Sequence, residues 1–226
     1  MTELPDRRMV DCLAYVKGLI MKDIISSIIT SVLTALYQPF WFSVILSVMV
    51  LFFYLFAYHN ETGGRGIRGA FSVWWQYFRG NAFFRKLFFL TFYTTMILFR
   101  TLLNRDMWMN PLSDVMANWW IWKYGEDGTR YLTTECIENL MLFIPFTVLF
   151  FWTVRDKVTE KMTFCGTVWK GLKITFLFSL SIEFLQLFLR LGTFQFSDLF
   201  YNTLGGGVGG LIYWFGSYMS KSTTNA

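Results

Sequence analysis

The sequence has one histidine, His59, and three cysteines, Cys12, Cys136 and Cys165, far apart in the chain. A single histidine excludes histidine-rich metal sites and makes any histidine-based hydrolytic triad depend on His59 alone. With no C-x-x-C pair, neither a thiolate zinc site nor a disulfide framework is suggested. Charge is scarce as well. Only 15% of the 226 residues are charged, against 54% hydrophobic and 21% aromatic, too little polarity for the surface of a soluble domain. The excess apolar surface calls for a bilayer. The net charge of +5 is spread over the segments between apolar runs, so it bears on membrane topology and not on nucleic acid. A cleavable signal peptide is not expected, because Met1 to Asp11 is polar and the apolar run after it is broken by Lys17, Lys22 and Asp23.

What is present is a series of long apolar runs. A helix needs about 20 mainly apolar residues to cross the hydrocarbon. Five segments meet that need: Trp41 to Tyr58, Lys86 to Leu103, Glu138 to Val154, Thr167 to Leu189, and Leu199 to Met219. Val10 to Tyr37 has apolar residues at helical spacing with Lys17, Lys22 and Asp23 in its first half, and reads as an interfacial helix. A short sixth span turning at Pro39 is the competing reading. The expected fold is therefore all-α, a polytopic transmembrane helix bundle. Residues 1–86 form an N-terminal membrane segment with a basic loop, residues 87–219 the main helical domain, and residues 220–226 a tail.

Lysine and arginine set the expected orientation. Arg65, Arg68, Arg79, Arg85 and Lys86, then Arg155, Lys157, Lys161, Lys170 and Lys173, and finally Lys221 fall on one side. The other side has Arg105, Lys123, Arg130 and Arg190 together with five acids. The more basic side is expected to be cytoplasmic. Four helix ends then meet on the outside, bringing Arg100 and Arg105, Glu138 and Asn139, Glu183, Gln186 and Arg190, and Asp198 and Asn202 to one layer. Ionisable side chains at membrane depth cost a few kcal/mol or more, so they face partners or a polar cavity. Glu183, Gln186 and Arg190 share a stripe at i, i+3, i+7, and Asp198 and Asn202 share a face at i, i+4.

Several of these residues have structural readings too. Arg190 and Asp198 flank a short turn containing Gly192 and are expected within ion-pair reach. Gln186 and Asn202 suit interhelical hydrogen bonds. Glu183, about two turns inward of Arg190, should have a cationic partner or a raised pKa, and Arg100 could reach it. Gly205, Gly206, Gly207, Gly209 and Gly210 suit close helix approach better than a phosphate-binding loop, since no Lys-Ser/Thr follows. Pro145 should bend its helix. Trp108, Trp119, Trp120, Trp122 and Tyr124 fit an interfacial layer over the polar ends.

The runs Glu138-Asn139-Leu-Met-Leu-Phe143-Ile144-Pro145-Phe146, Glu183-x-x-Gln186-x-x-x-Arg190, and Phe196-Ser-Asp198-x-x-x-Asn202-Thr203-x-Gly205-Gly206-x-x-Gly209 resemble the VanZ-like family of bacterial membrane proteins. The span ending in Thr101-Leu-Leu-Asn-Arg105 is similar to that family's first helix. The resemblance covers about Leu87 to Tyr218, with one departure: Thr147 stands where the family pattern usually has glycine, two residues after the proline.

The resemblance implies a four-helix core in the bacterial cytoplasmic membrane and a site made by Arg105, Glu138, Asn139, Glu183, Gln186, Arg190, Asp198 and Asn202. It also implies a connection with resistance to teicoplanin-type glycopeptides. Two classes of function stand against each other. One is a module binding a membrane lipid, a lipid-linked cell-wall intermediate or a lipoglycopeptide. The other is an enzyme on such a lipid with Glu183 as acid or base and Arg190 or Arg105 holding phosphate. The lack of an activated nucleophile favours binding, and a small transporter ranks last. No cofactor is expected, and a divalent ion held by Glu138, Glu183 and Asp198 is the less favoured alternative.

Overall fold

The computed structural model describes residues 37–58, 66–103, 128–155 and 163–224 continuously, with 22–23, 25–31, 33–34, 107, 110–113, 115–116 and 119–124 as shorter stretches. Helix α1 is Phe40–Phe53, continued by a π-helical turn at Tyr54–Tyr58. Then come α2, Gly66–Gly80, and α3, Ala82–Leu98, which also ends in a π-helical turn, Phe99–Leu103. A two-stranded antiparallel ribbon, β1 (Trp122–Tyr124) with β2 (Arg130–Leu132), pairs Lys123 with Tyr131. Helices α4 (Glu135–Val154), α5 (Phe164–Leu189) and α6 (Phe196–Thr224) complete the order.

Local chemistry explains the starts. Asn81 caps α3 by accepting the Phe84 N–H at 3.2 Å, and Thr163 caps α5 through the Gly166 N–H at 3.3 Å. At α1, Pro39 supplies a residue with no N–H where a helix has none to use, and its carbonyl accepts the Ser43 N–H.

Among the described residues, four helical segments are long and apolar enough to cross a membrane: Phe40–Tyr58, Ala82–Leu103, Glu135–Val154 and Phe164–Leu189. These match four of the five expected spans to within a few residues. The fifth expected span is inside α6, whose 29 residues make it roughly 43 Å long. Its hydropathy is lower because glycines replace apolar side chains on the face that packs between α4 and α5. That face meets protein and not lipid.

Packing there is backbone on backbone. A Cβ on Gly205 would collide with the Leu140 carbonyl, one on Gly209 would lie 2.6 Å from the Ile144 carbonyl, and one on Gly210 2.9 Å from the Thr167 carbonyl. The glycine run is thus a helix-crossing surface, as its small-x-x-x-small spacing implies. Thr147, the departure from the family pattern, is fully buried at this crossing. Its hydroxyl donates to the Phe143 carbonyl at 3.1 Å and lies 3.1 Å from Thr175 Oγ1. Gly209 and Gly171 on the facing helices leave room for it.

The segment before Lys86 differs from a basic loop. Residues 66–80 are an amphipathic helix whose Trp74 is buried with Leu51, Leu55 and Phe84, joining α1, α2 and α3 in one aromatic cluster. Arg85 Nη1 donates to the carbonyls of Phe78 and Arg79, at 3.2 and 2.6 Å, and ties off the end of α2. Of the expected interfacial helix at Val10 to Tyr37, most of the first half lies outside the described residues. Residues 25–31 are helical and expose Ile25 and Ile29.

Candidate functional site

The last turn of α3, the first turns of α4 and α6, and the strap 190–195 between α5 and α6 enclose a pocket of about 240 Å³. Its walls are Arg100, Thr101, Glu135, Glu138, Asn139, Gln195 and Asp198. The π-helical turn Phe99–Leu103 builds one side. Such a turn widens the backbone and frees carbonyls from the usual ladder. Here Arg100 faces α4, and the Thr101 carbonyl accepts Gln186 Nε2 from α5 at 2.7 Å.

Arg100 Nη2 forms an ion pair with Glu138 Oε2, with the two side chains 28% and 13% exposed. The other Glu138 oxygen accepts the Thr134 hydroxyl. Thr134 and Glu138 stand at the start of α4, where a carboxylate also meets the positive end of the helix. At the next residue, about 100° round the helix, Asn139 Nδ2 donates to Asp198 Oδ1 at 2.7 Å and closes the contact between α4 and α6. Asp198, 9% exposed, lies in the first turn of α6 and gains from its dipole in the same way.

The remaining expected residues distribute around this pocket. Glu183, 2% exposed, accepts the backbone N–H of Gln195 at 3.0 Å, so it holds the strap against α5 and does not line the pocket. Gln186 bolts α5 to the π-helical turn. Asn202 Nδ2 donates to Ser179 Oγ at 2.8 Å across the α5–α6 contact, while its buried Oδ1 has no hydrogen-bond partner among the described residues. Arg190 stands apart. It is the exposed C-cap of α5 in the left-handed conformation, φ 56°, followed by Gly192 at φ 89°. The ion pair expected between Arg190 and Asp198 is absent, because the left-handed turn carries Arg190 outward while Asp198 is held by Asn139. Arg100 likewise pairs with Glu138 and not with Glu183. Arg105, His59, Trp108 and the side chains of Lys123 and Tyr124 lie outside the described residues.

Thr101, Thr134, Glu135 and Gln195 were not singled out in the sequence. Thr134 and Glu138 have the i, i+4 spacing of a local hydrogen bond, which could have been seen. Gln195 carried no signal, since its contact to Glu183 is made by its backbone.

Two outcomes follow from these contacts. Gln186→Leu leaves the Thr101 carbonyl without its donor in an apolar setting, and is expected to lower the thermal midpoint in detergent by the equivalent of about 1–2 kcal/mol. An unchanged midpoint would show that the α3–α5 contact does not depend on this bond. Arg190→Gly relieves left-handed strain but adds chain entropy, effects of about 1 kcal/mol each and opposite in sign. Stability should therefore stay within about 1 kcal/mol of the parent, which makes this variant a clean probe of any ligand role for the guanidinium.

Neither a curated protein nor a solved structure matches the chain. The match to the VanZ/LLP1 family model runs over residues 30–217. It takes in α1 and α2 as well as the region from Leu87 onward that carries the motifs, and with four apolar helices it makes this a multi-pass membrane protein. The chain belongs to the VanZ/LLP1 family.

Proposed function

We propose that the chain binds the head group of a membrane amphiphile in the pocket between α3, α4 and α6. The amphiphile is a membrane lipid, a lipid-linked cell-wall intermediate or a lipoglycopeptide, and capturing it contributes to resistance against teicoplanin-type glycopeptides. The observation that carries this reading is a cavity of about 240 Å³ walled by Arg100, Glu138, Asn139 and Asp198 at the ends of apolar helices. A polar cavity of that size admits a head group, and the spans around it leave an attached chain in hydrocarbon. The excess of lysine and arginine at the opposite ends of these helices supports an extracytoplasmic position in the bacterial cytoplasmic membrane. Glu183 supports binding over catalysis, because its carboxylate is engaged by the strap and is not on the pocket wall.

The test uses the full chain purified from a bacterial membrane, with bound lipids, lipid-linked peptidoglycan precursors and added teicoplanin read by mass spectrometry. Asp198→Asn keeps an acceptor for Asn139 and removes the charge. It should reduce retention of the bound species at least tenfold while leaving the protein folded. Equal retention by parent and variant would sink the binding reading. A cellular lipid that appears or vanishes with the chain, and reverts with Glu183→Gln, would replace it with an enzyme.

A further inference from the structure

Helix α2 is not used by the polar pocket, yet its position is tightly specified. Arg85 ties its last carbonyls to α3, and Trp74 stacks with Phe78 and meets Phe84 and Phe88 edge-on. Around this fixed helix two surfaces lie side by side. Arg68, Ser72, Trp75 and Arg79, at i, i+4, i+7 and i+11, form one exposed stripe. The Arg79 guanidinium lies 5.1 Å from the centroid of the Trp75 ring. Next to the stripe, Ile67, Ala70 and Phe71 face Val44, Val48 and Phe52 of α1 across an apolar groove of about 580 Å³. From Gly66 to Leu103 the sequence contains no aspartate or glutamate, so this surface has one sign of charge.

We propose that α1 and α2 form a docking site for an anionic phospholipid. Its acyl chain lies in the groove and its phosphate meets Arg68, which flanks the groove residues Ile67 and Phe71. Arg79 is roughly 16 Å further along the helix and, with Trp75, anchors a neighbouring head group. Apolar walls supply the affinity for a chain, and the guanidinium chemistry selects phosphate with a net negative charge. An uncharged or zwitterionic lipid would use the groove and leave the stripe without its counter-charge. The site is separate from the polar pocket at the far ends of the spans.

The experiment is native mass spectrometry of the full chain in detergent, titrated with phosphatidylglycerol or with phosphatidylcholine of the same chains. Phosphatidylglycerol should be retained preferentially. Arg68→Gln and Arg79→Gln, both at exposed positions, should each weaken that retention roughly fivefold and leave phosphatidylcholine unaffected. Ala70→Phe, which fills the groove, should reduce retention of both lipids. Equal retention of the two lipids by the parent, or a preference for phosphatidylglycerol that survives Arg68→Gln/Arg79→Gln, would overturn the proposal. So would unchanged retention in Ala70→Phe, provided the variant keeps the parent's thermal midpoint; should it lose it, Ala70→Leu replaces it under the same criterion.

Discussion

Gly205→Leu will abolish the folded protein, and Gly209→Leu will do the same. In each case the new side chain meets backbone and not a movable side-chain tip: the Leu140 carbonyl with Phe143 Cβ 3.2 Å away at Gly205, and the Ile144 carbonyl with Thr147 Cβ 2.8 Å away at Gly209. Overpacking in a core that can adjust costs about 1–3 kcal/mol. Here two helix backbones must separate, which also breaks the Asn139–Asp198 bond between α4 and α6, so the cost should exceed about 3 kcal/mol. Gly216 is the internal control. It lies in the same helix with nothing within 4 Å of its missing Cβ, so Gly216→Ala should be neutral or stabilising by up to about 1 kcal/mol. Size-exclusion profiles of fluorescently tagged variants in mild detergent would show it. A monodisperse Gly205→Leu protein at parental yield would mean that α6 is not held against α4 in the way described.

That crossing also shows how far the sequence could be read. Hydropathy located the spans because the cost of an exposed polar residue in lipid is large and local. Glycine spacing identified the packing face of α6, since removing side chains is the one way to bring backbones together. Hydropathy alone understates α6 for the same reason: a helix sheltered by protein need not be apolar. The sequence of α2 has the look of a basic loop because its arginines dominate the count of charges, while its apolar residues are too few for a span. Their spacing at Ile67, Phe71, Trp74 and Phe78 was the available signal.

Within the site, polar type and membrane depth identified Glu138, Asn139 and Asp198 as members of one layer, and they line one pocket. The pairing inside the layer was not legible. Whether Arg100 meets Glu183 or Glu138 depends on a π-helical turn that shifts the register of α3 within five residues, and no composition rule marks such a turn. Arg190 was drawn toward Asp198 by the shortness of the turn between them. The left-handed conformation at Arg190 reverses that direction, and this was not visible because an arginine in place of glycine gives no cue for positive φ.

Arg100→Met will destabilise the protein and end the head-group binding proposed for the pocket, and only one of those losses will be repaired by a second substitution. Removing the guanidinium leaves Glu138 with the Thr134 hydroxyl and the start of α4 as its support. Stripping one member from a buried pair costs about 3–5 kcal/mol, and the partial exposure of this pair places the expected loss lower, at about 2–3 kcal/mol. Glu138→Leu alone should be destabilising in the same range, since it leaves Arg100 beside an apolar wall. The double variant has neither charge. Replacing a buried pair by apolar groups is often neutral, so the thermal midpoint should return toward the parental value, with a coupling of about 1–3 kcal/mol in the double-mutant cycle. Retention of the amphiphile should not return, because the pocket has lost its guanidinium and the Glu138 carboxylate from its wall. A double variant that is stable and still binds would mean that the proposed head-group site is not this pocket. A double variant as unstable as either single one would mean that Arg100 and Glu138 act on separate partners, and the ion pair would lose its place as the organiser of the pocket.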